Sequence, residues 1–173
     1  MRSVFLGTKH SARAMKTQAI GGVIVNTASI AGLSGRIGPL AYSAAKAAVI
    51  NFGRVVAVEL APHRIRVNTV APGIIRTPLI ETGKRDVAGA VASAQPWPAL
   101  GDADHVARVV AFLCSEAAEF RTGANVVVDG GLMAAGPRID QLIGSNPTTG
   151  GRVGVNRGST GEPHTVRDLT ALD

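Results

Sequence analysis

Residues 21–60 read GGVIVNTASIAGLSGRIGPLAYSAAKAAVINFGRVVAVEL. Gly21-Gly22 is a breaker pair, and Val23-Ile24-Val25 follows as a β-branched run without polar alternation, the pattern of a strand buried on both faces. A loop rich in Ser, Gly and Pro spans Ala28 to Pro39. Residues 41–61 then carry a helical pattern. Ala44, Ala45, Ala48, Val49, Phe52, Val55, Val56 and Leu60 share a broad apolar face, and the alanines let another helix come close. Pro62 stops the helix.

Upstream, residues 1–17 hold Arg2, Lys9, Arg13 and Lys16 and no acid, a composition that fits a mitochondrial transit peptide. Against that, Val4, Phe5, Thr8, Ala12 and Met15 recur at i, i+3/i+4 spacing, and the favoured reading is a helix packed inside the domain. Downstream, Arg64 to Val70 alternates basic and apolar residues as a second strand, and Ala71-Pro72-Gly73 turns the chain. Ile74 to Leu100 is irregular, with Pro78, Pro96 and Pro98. Asp102 is an N-cap candidate for a helix from Ala103 to Ser115. Val126 to Val128 reads as a third buried strand, ended by Asp129-Gly130-Gly131. Helix and strand alternate three times, which implies crossover connections. The expectation is an α/β fold, a doubly wound parallel sheet of about three strands with helices on both faces. Residues 134–173 contain no aromatic, seven glycines and no sustained periodicity. They read as a low-complexity, disordered tail, within which Val166 to Leu172 allow a short helix.

Composition removes several classes. With 173 residues, 46% of them hydrophobic, the chain supports one compact domain and is not disordered throughout. No apolar run reaches the roughly 18 residues of a membrane helix. The one cysteine, Cys114, forms no internal disulfide, which suits a reducing compartment, and the cytoplasm is the expected location. The net charge of +6 is dispersed, without a Lys/Arg stripe or aromatic platforms. A nucleic-acid partner is therefore not expected.

The chemistry lies in three phrases. Tyr42 and Lys46 stand four apart at the start of the long helix, so they share a face. A phenol with a reference pKa near 10 is a poor acid or base at neutrality. Bringing it to about 7 takes roughly 4 kcal/mol, much of which a fixed ammonium supplies. Alone, Tyr-x-x-x-Lys is an exposed polar pair. Ser29, however, stands thirteen residues earlier, just past the first strand, and ligands collect at the carboxyl ends of strands in open parallel sheets. At the end of the second strand, Pro72-Gly73 bends the backbone at the same edge and Thr77 adds a hydroxyl.

Gly22-Val-Ile-Val-Asn-Thr-Ala-Ser29, Tyr42-Ser-Ala-Ala-Lys46, Asn68-Thr-Val-Ala-Pro-Gly73 with Thr77, and Thr122-Gly-Ala-Asn-Val-Val-Val-Asp-Gly-Gly131 occur in that order. Together they resemble the C-terminal half of a short-chain dehydrogenase/reductase, over residues 1 to about 133. The resemblance implies a partial Rossmann-like sheet and reversible hydride transfer between a nicotinamide cofactor, NAD or NADP, and a small-molecule alcohol or carbonyl. It implies that Ser29 orients the substrate oxygen, Tyr42 is the general acid/base, and Lys46 tunes Tyr42 and binds the nicotinamide ribose. Pro72, Gly73, Ile75 and Thr77 would line the nicotinamide pocket. No metal is required, and His10, His63, His105 and His164 show no ligand spacing. Homo-oligomerisation through helices 1–17 and 41–61 is also implied. The family's glycine-rich loop, Thr-Gly-x-x-x-Gly-x-Gly, is absent from the chain. The expectation is accordingly a fragment that binds dinucleotide weakly by itself and turns over slowly or not at all. A non-catalytic remnant that pairs with full-length relatives is the alternative. A sugar-nucleotide epimerase sharing Tyr-x-x-x-Lys is disfavoured by Pro72-Gly73 and by the Asp129-Gly130-Gly131 ending.

Overall fold

The computed structural model describes residues 1–35, 37–78, 89, 91, 95–136, 152–155 and 165–168. In chain order its first unit, Met1–Ala135, contains α1 (Arg2–Gln18), β1 (Gly22–Thr27), α2 (Leu40–Leu60), β2 (Ile65–Pro72), α3 (Ala103–Cys114), β3 (Asn125–Val128) and α4 (Leu132–Ala135). The three strands form one parallel sheet in the order β1-β2-β3, with Gly22 opposite Ile65 and Thr69 opposite Asn125. The second unit, Gly136–Asp173, contains an antiparallel pair, β4 (Arg152–Val155) and β5 (Thr165–Asp168).

Two layers of helix cover β2, the central strand. Ile65 and Val67 join Ile24, Ala12, Ala57 and Leu60 in a core beneath α1 and α2. Thr69 continues that face. Gly53 of α2 sits directly over it, and a Cβ at Gly53 would lie 2.5 Å from Thr69 Oγ1. The intervening residues of β2 turn the other way, toward α3. Arg66 Nη1 donates to Leu113 O at 2.7 Å and Arg66 Nη2 to Ser115 O at 3.2 Å, serving carbonyls that the end of α3 leaves free. Asn68, fully buried, donates through Nδ2 to Arg121 O at 2.7 Å and accepts from Ala124 N at 3.1 Å. It thereby fixes the turn that delivers β3.

Several expectations need correction. β1 is not buried on both faces: Ile24 and Asn26 are buried, Val23 and Val25 are half-buried and Thr27 is exposed. Among the described residues β1 pairs only with β2, so one edge and part of one face stay open. β3 is likewise half-exposed rather than buried. The second strand starts one residue after Arg64, which adopts φ 55, and it continues through Ala71 and Pro72, which pair with Val127 and Val128. Pro72 therefore belongs to the strand, and the bend begins at Gly73. On α2 the inner stripe is Val49, Ile50, Gly53, Ala57 and Leu60, while Ala44, Ala48 and Val55 are exposed. That helix is apolar nearly all round, so periodicity does not pick its inner face. Phe5 of α1 is exposed as well, although Thr8 and Ala12 are buried as the spacing predicts. Finally, Val166–Asp168 belong to a strand instead of a helix, with Thr165 and Val166 opposite Val155 and Gly154 of β4. Most of Ile74 to Leu100, and His164, lie outside the described residues.

Candidate active site

The segments that follow β1 and β2 at the carboxyl edge of the sheet, with the start of α2 and the start of α3, enclose one cleft of ≈ 650 Å³. Its first wall follows β1. Ala28 N–H extends the parallel ladder to Val70 O at 2.7 Å, and the chain then folds into a 3₁₀ turn, Ile30–Gly32. Ser29 caps that turn: its extended backbone leads in, and its Oγ accepts from Ala31 N at 3.1 Å. Ile30 and Ala31 are 2% and 3% exposed, so the turn beneath Ser29 is packed in place. The hydroxyl proton of Ser29 remains available to a ligand oxygen, since Oγ acts here as an acceptor.

The second wall is formed by the first two turns of α2. Lys46 Nζ donates to Thr27 O, the last carbonyl of β1, at 3.0 Å. The same ammonium lies 5.6 Å from the centroid of the Tyr42 ring, within cation–π range. One bond thus fixes a positive charge beside the only tyrosine of the chain. Tyr42 is 46% exposed, so its ring borders the opening of the cleft. Gly38 backs this arrangement: a Cβ there would lie 3.1 Å from Ala31 Cβ and 3.2 Å from Tyr42 Cδ1.

The third wall comes from the end of β2. Gly73 N donates to Val128 O at 2.9 Å, and its bare α-carbon packs on Asp129, where a Cβ would come within 2.7 Å of the Asp129 Cβ. Any side chain at 73 would displace the bend. Asp129 is itself tied down, accepting from Gly131 N at 3.0 Å and Met133 N at 2.7 Å. Beyond the bend, Ile75 bridges to Gly101, and Arg76 N donates to Gly101 O at 2.7 Å. This sets the loop against α3, whose Ala103, Val106 and Ala107 complete the cleft.

Ser29, Tyr42, Lys46, Pro72, Gly73, Ile75 and Thr77 therefore all line the same cleft, although up to 48 positions separate them. Sequence reasoning missed Thr27, whose carbonyl anchors Lys46, and the contributions of Ile37 and α3. Position gave a clue to Thr27, the last residue of the strand. The Asp102 cap marked where α3 starts but not which loop its first turns face. It also missed His105, which completes a capping box by accepting from Asp102 N through Nδ1 at 2.9 Å.

Residues 1–133 match the family described as enoyl-(acyl carrier protein) reductase. The cis-4-hydroxycyclohexanecarboxylate dehydrogenase of Sinomonas cyclohexanicum is 45% identical over 134 residues, which are 78% of this chain and 53% of that protein. A 4-hydroxyisoleucine dehydrogenase solved in complex with NADH superposes with a TM-score of 0.70 at 32% identity, over 78% of this chain and 56% of that one. The protein ElxO with NADP bound gives 0.69 at 35% identity, over 76% and 54% respectively. The chain spans about half the length of the curated relatives it matches.

Proposed function

The chain belongs to the short-chain dehydrogenase/reductase family, and from that premise we propose that its cleft serves reversible, NAD(P)-dependent hydride transfer between an alcohol and a ketone or aldehyde. The observation that carries this reading is the convergence of Ser29, Tyr42 and Lys46 with the Pro72–Thr77 loop on one cleft. The residues fit the ring end of the cofactor. Pro72, Ile74 and Ile75 offer an apolar wall, Gly73 leaves the bend without a side chain, and Thr77 and Lys46 supply donors for amide and ribose oxygens. When bound, the nicotinamide supplies or accepts the hydride.

The remaining work falls to side chains. Ser29 donates its hydroxyl proton in a hydrogen bond to the substrate oxygen and holds it beside Tyr42. In the reductive direction the Tyr42 hydroxyl gives its proton to that oxygen as the carbon is reduced; in the oxidative direction the phenolate takes it back. Lys46, anchored on Thr27 O, keeps a positive charge next to the ring, where it offsets the negative charge that develops on the phenol oxygen during the transfer. Its remaining ammonium protons are free to hold the ribose. Ala103, Val106 and Ala107 add an apolar side to the cleft.

Titration with reduced dinucleotide, followed by the backbone amide shifts of the labelled chain, tests the assignment. Ser29, Lys46, Ile75 and Thr77 should move together. Shifts confined to other surfaces, or none at millimolar cofactor, would contradict it.

A second role is supported by a separate surface. The rings of Phe5 and Phe52 meet at a tilt of 51° with centroids 5.8 Å apart, and the groove they share with Ala12, Val55, Val56 and Leu60 lies open between α1 and α2. Val55 and Val58 are 50% and 76% exposed. Pairing of two copies, or of this chain with a full-length relative, through α1 and α2 would cover these residues. Cys114, exposed and free, fits a reducing compartment such as the cytoplasm.

A further inference from the structure

We infer that Gly32 is a positioning residue: it seats the Ser29-capped turn directly on the backbone of α2 at Lys46–Ala47, and so sets the register of Ser29 against Tyr42 and Lys46. The inference rests on the reading that these three side chains act together.

The contact is backbone on backbone. A Cβ built on Gly32 would lie 2.6 Å from Ala47 N, 2.6 Å from Lys46 C and 2.9 Å from Lys46 O. No rotamer change relieves such a clash, because none of these atoms belongs to a side chain. With any other residue at 32, the turn and the helix would have to part from 2.6 Å to about 3.4 Å, where ordinary contact begins. Ser29 would move with the turn. Its carbonyl accepts from Gly32 N at 3.0 Å, and its Oγ holds Ala31 N at 3.1 Å, so residues 29–32 travel as one unit. Ile30 and Ala31 are buried, so the unit shifts as a body instead of unravelling into solvent. Tyr42 and Lys46, on the helix side of the contact, would stay behind. The separation between the hydroxyl that holds the substrate oxygen and the one that exchanges its proton is thus fixed by a missing side chain. A displacement near 1 Å between reacting groups is worth on the order of 100-fold in rate.

The same loop provides an internal control. Gly35 is exposed, with nothing within 4 Å of an added Cβ, and neither glycine sits in the left-handed region. Gly32→Ala and Gly35→Ala therefore carry the same change in chain entropy and differ only in the contact. The experiment compares both variants with the parent chain by far-UV circular dichroism, by amide and aromatic shifts, and by turnover of a ketone with reduced dinucleotide. Expected for Gly32→Ala are a retained fold and shifts at Ala31, Lys46, Ala47 and the ring of the sole tyrosine. The expected kinetic effect is a fall in kcat on the order of 100-fold with the KM for dinucleotide unchanged. Gly35→Ala should match the parent in all three. Unmoved shifts and rates in Gly32→Ala would overturn the inference. So would loss of the fold in Gly32→Ala alone, which would make Gly32 a packing requirement only. If the parent chain shows no turnover, the proposed reaction fails for this chain, while the shifts still decide whether Gly32 holds the three side chains in register.

Discussion

Replacing Asn68 by alanine should cost the Met1–Ala135 unit about 2–4 kcal/mol, out of proportion to the size of the group removed. The side chain is 0% exposed and makes two hydrogen bonds, from Nδ2 to Arg121 O at 2.7 Å and from Ala124 N to Oδ1 at 3.1 Å. The two losses are unequal. Arg121 O keeps a longer contact from Arg66 Nη1 at 3.4 Å, so its loss amounts to about 1 kcal/mol. Ala124 N–H has no replacement among its described neighbours and is left unpaired next to β2, at about 1–3 kcal/mol. The effect should reach the cleft, because β3 delivers the Val128 carbonyl that holds Gly73. Urea denaturation followed by circular dichroism measures the cost as a lower midpoint at constant slope. Asn68→Asp is the sharper companion. It keeps the shape and the acceptor but loses the donor and buries a charge, so it should be at least as damaging as alanine. A loss below about 0.5 kcal/mol for Asn68→Ala would refute the claim that this residue joins β2 to the turn before β3.

Three further outcomes follow from the same structure. Leu113, 0% exposed on the inner side of α3, should cost about 2–5 kcal/mol on truncation to alanine, read from the same denaturation curves. Asp102→Asn keeps an equally good cap for α3 but removes the exposed ion pair with Arg76 at 3.3 Å, so the midpoint should barely move, whereas Asp102→Ala should cost about 1 kcal/mol. Lys46→Met should leave the fold intact and, by removing the ammonium anchored on Thr27 O, lower ketone turnover by about 100-fold or more in a spectrophotometric assay.

The order of elements was legible because each signal had a mechanism. Gly21-Gly22 and Pro62 bracket β1 and α2, and Asp102 caps α3. The site was legible for a different reason. In a parallel sheet, residues just past successive strands must emerge at the same edge, so Ser29 and Pro72–Gly73 could be brought together before any distance was known. What the sequence could not supply was burial. Val23–Val25 and Val126–Val128 are as β-branched as a fully buried strand, yet both lie at edges of the described sheet, and composition carries no record of which strand is central. The inner face of α2 was hidden by its own uniform apolarity; the close approach of Gly53 to Thr69 selects it. Thr27 and His105 act through a carbonyl and a cap, contributions that depend on where the backbone goes.

The most direct test of the account is the ratio of turnover between the parent chain and Tyr42→Phe, measured with a neutral ketone and either reduced dinucleotide. Phenylalanine preserves the ring beside Lys46 and removes only the oxygen, so the fold and cofactor affinity should persist while turnover falls by about 10²–10⁴-fold. Equal rates in the two proteins would contradict the assignment of Tyr42 as the proton-transfer group and, with it, the chemistry proposed for the cleft.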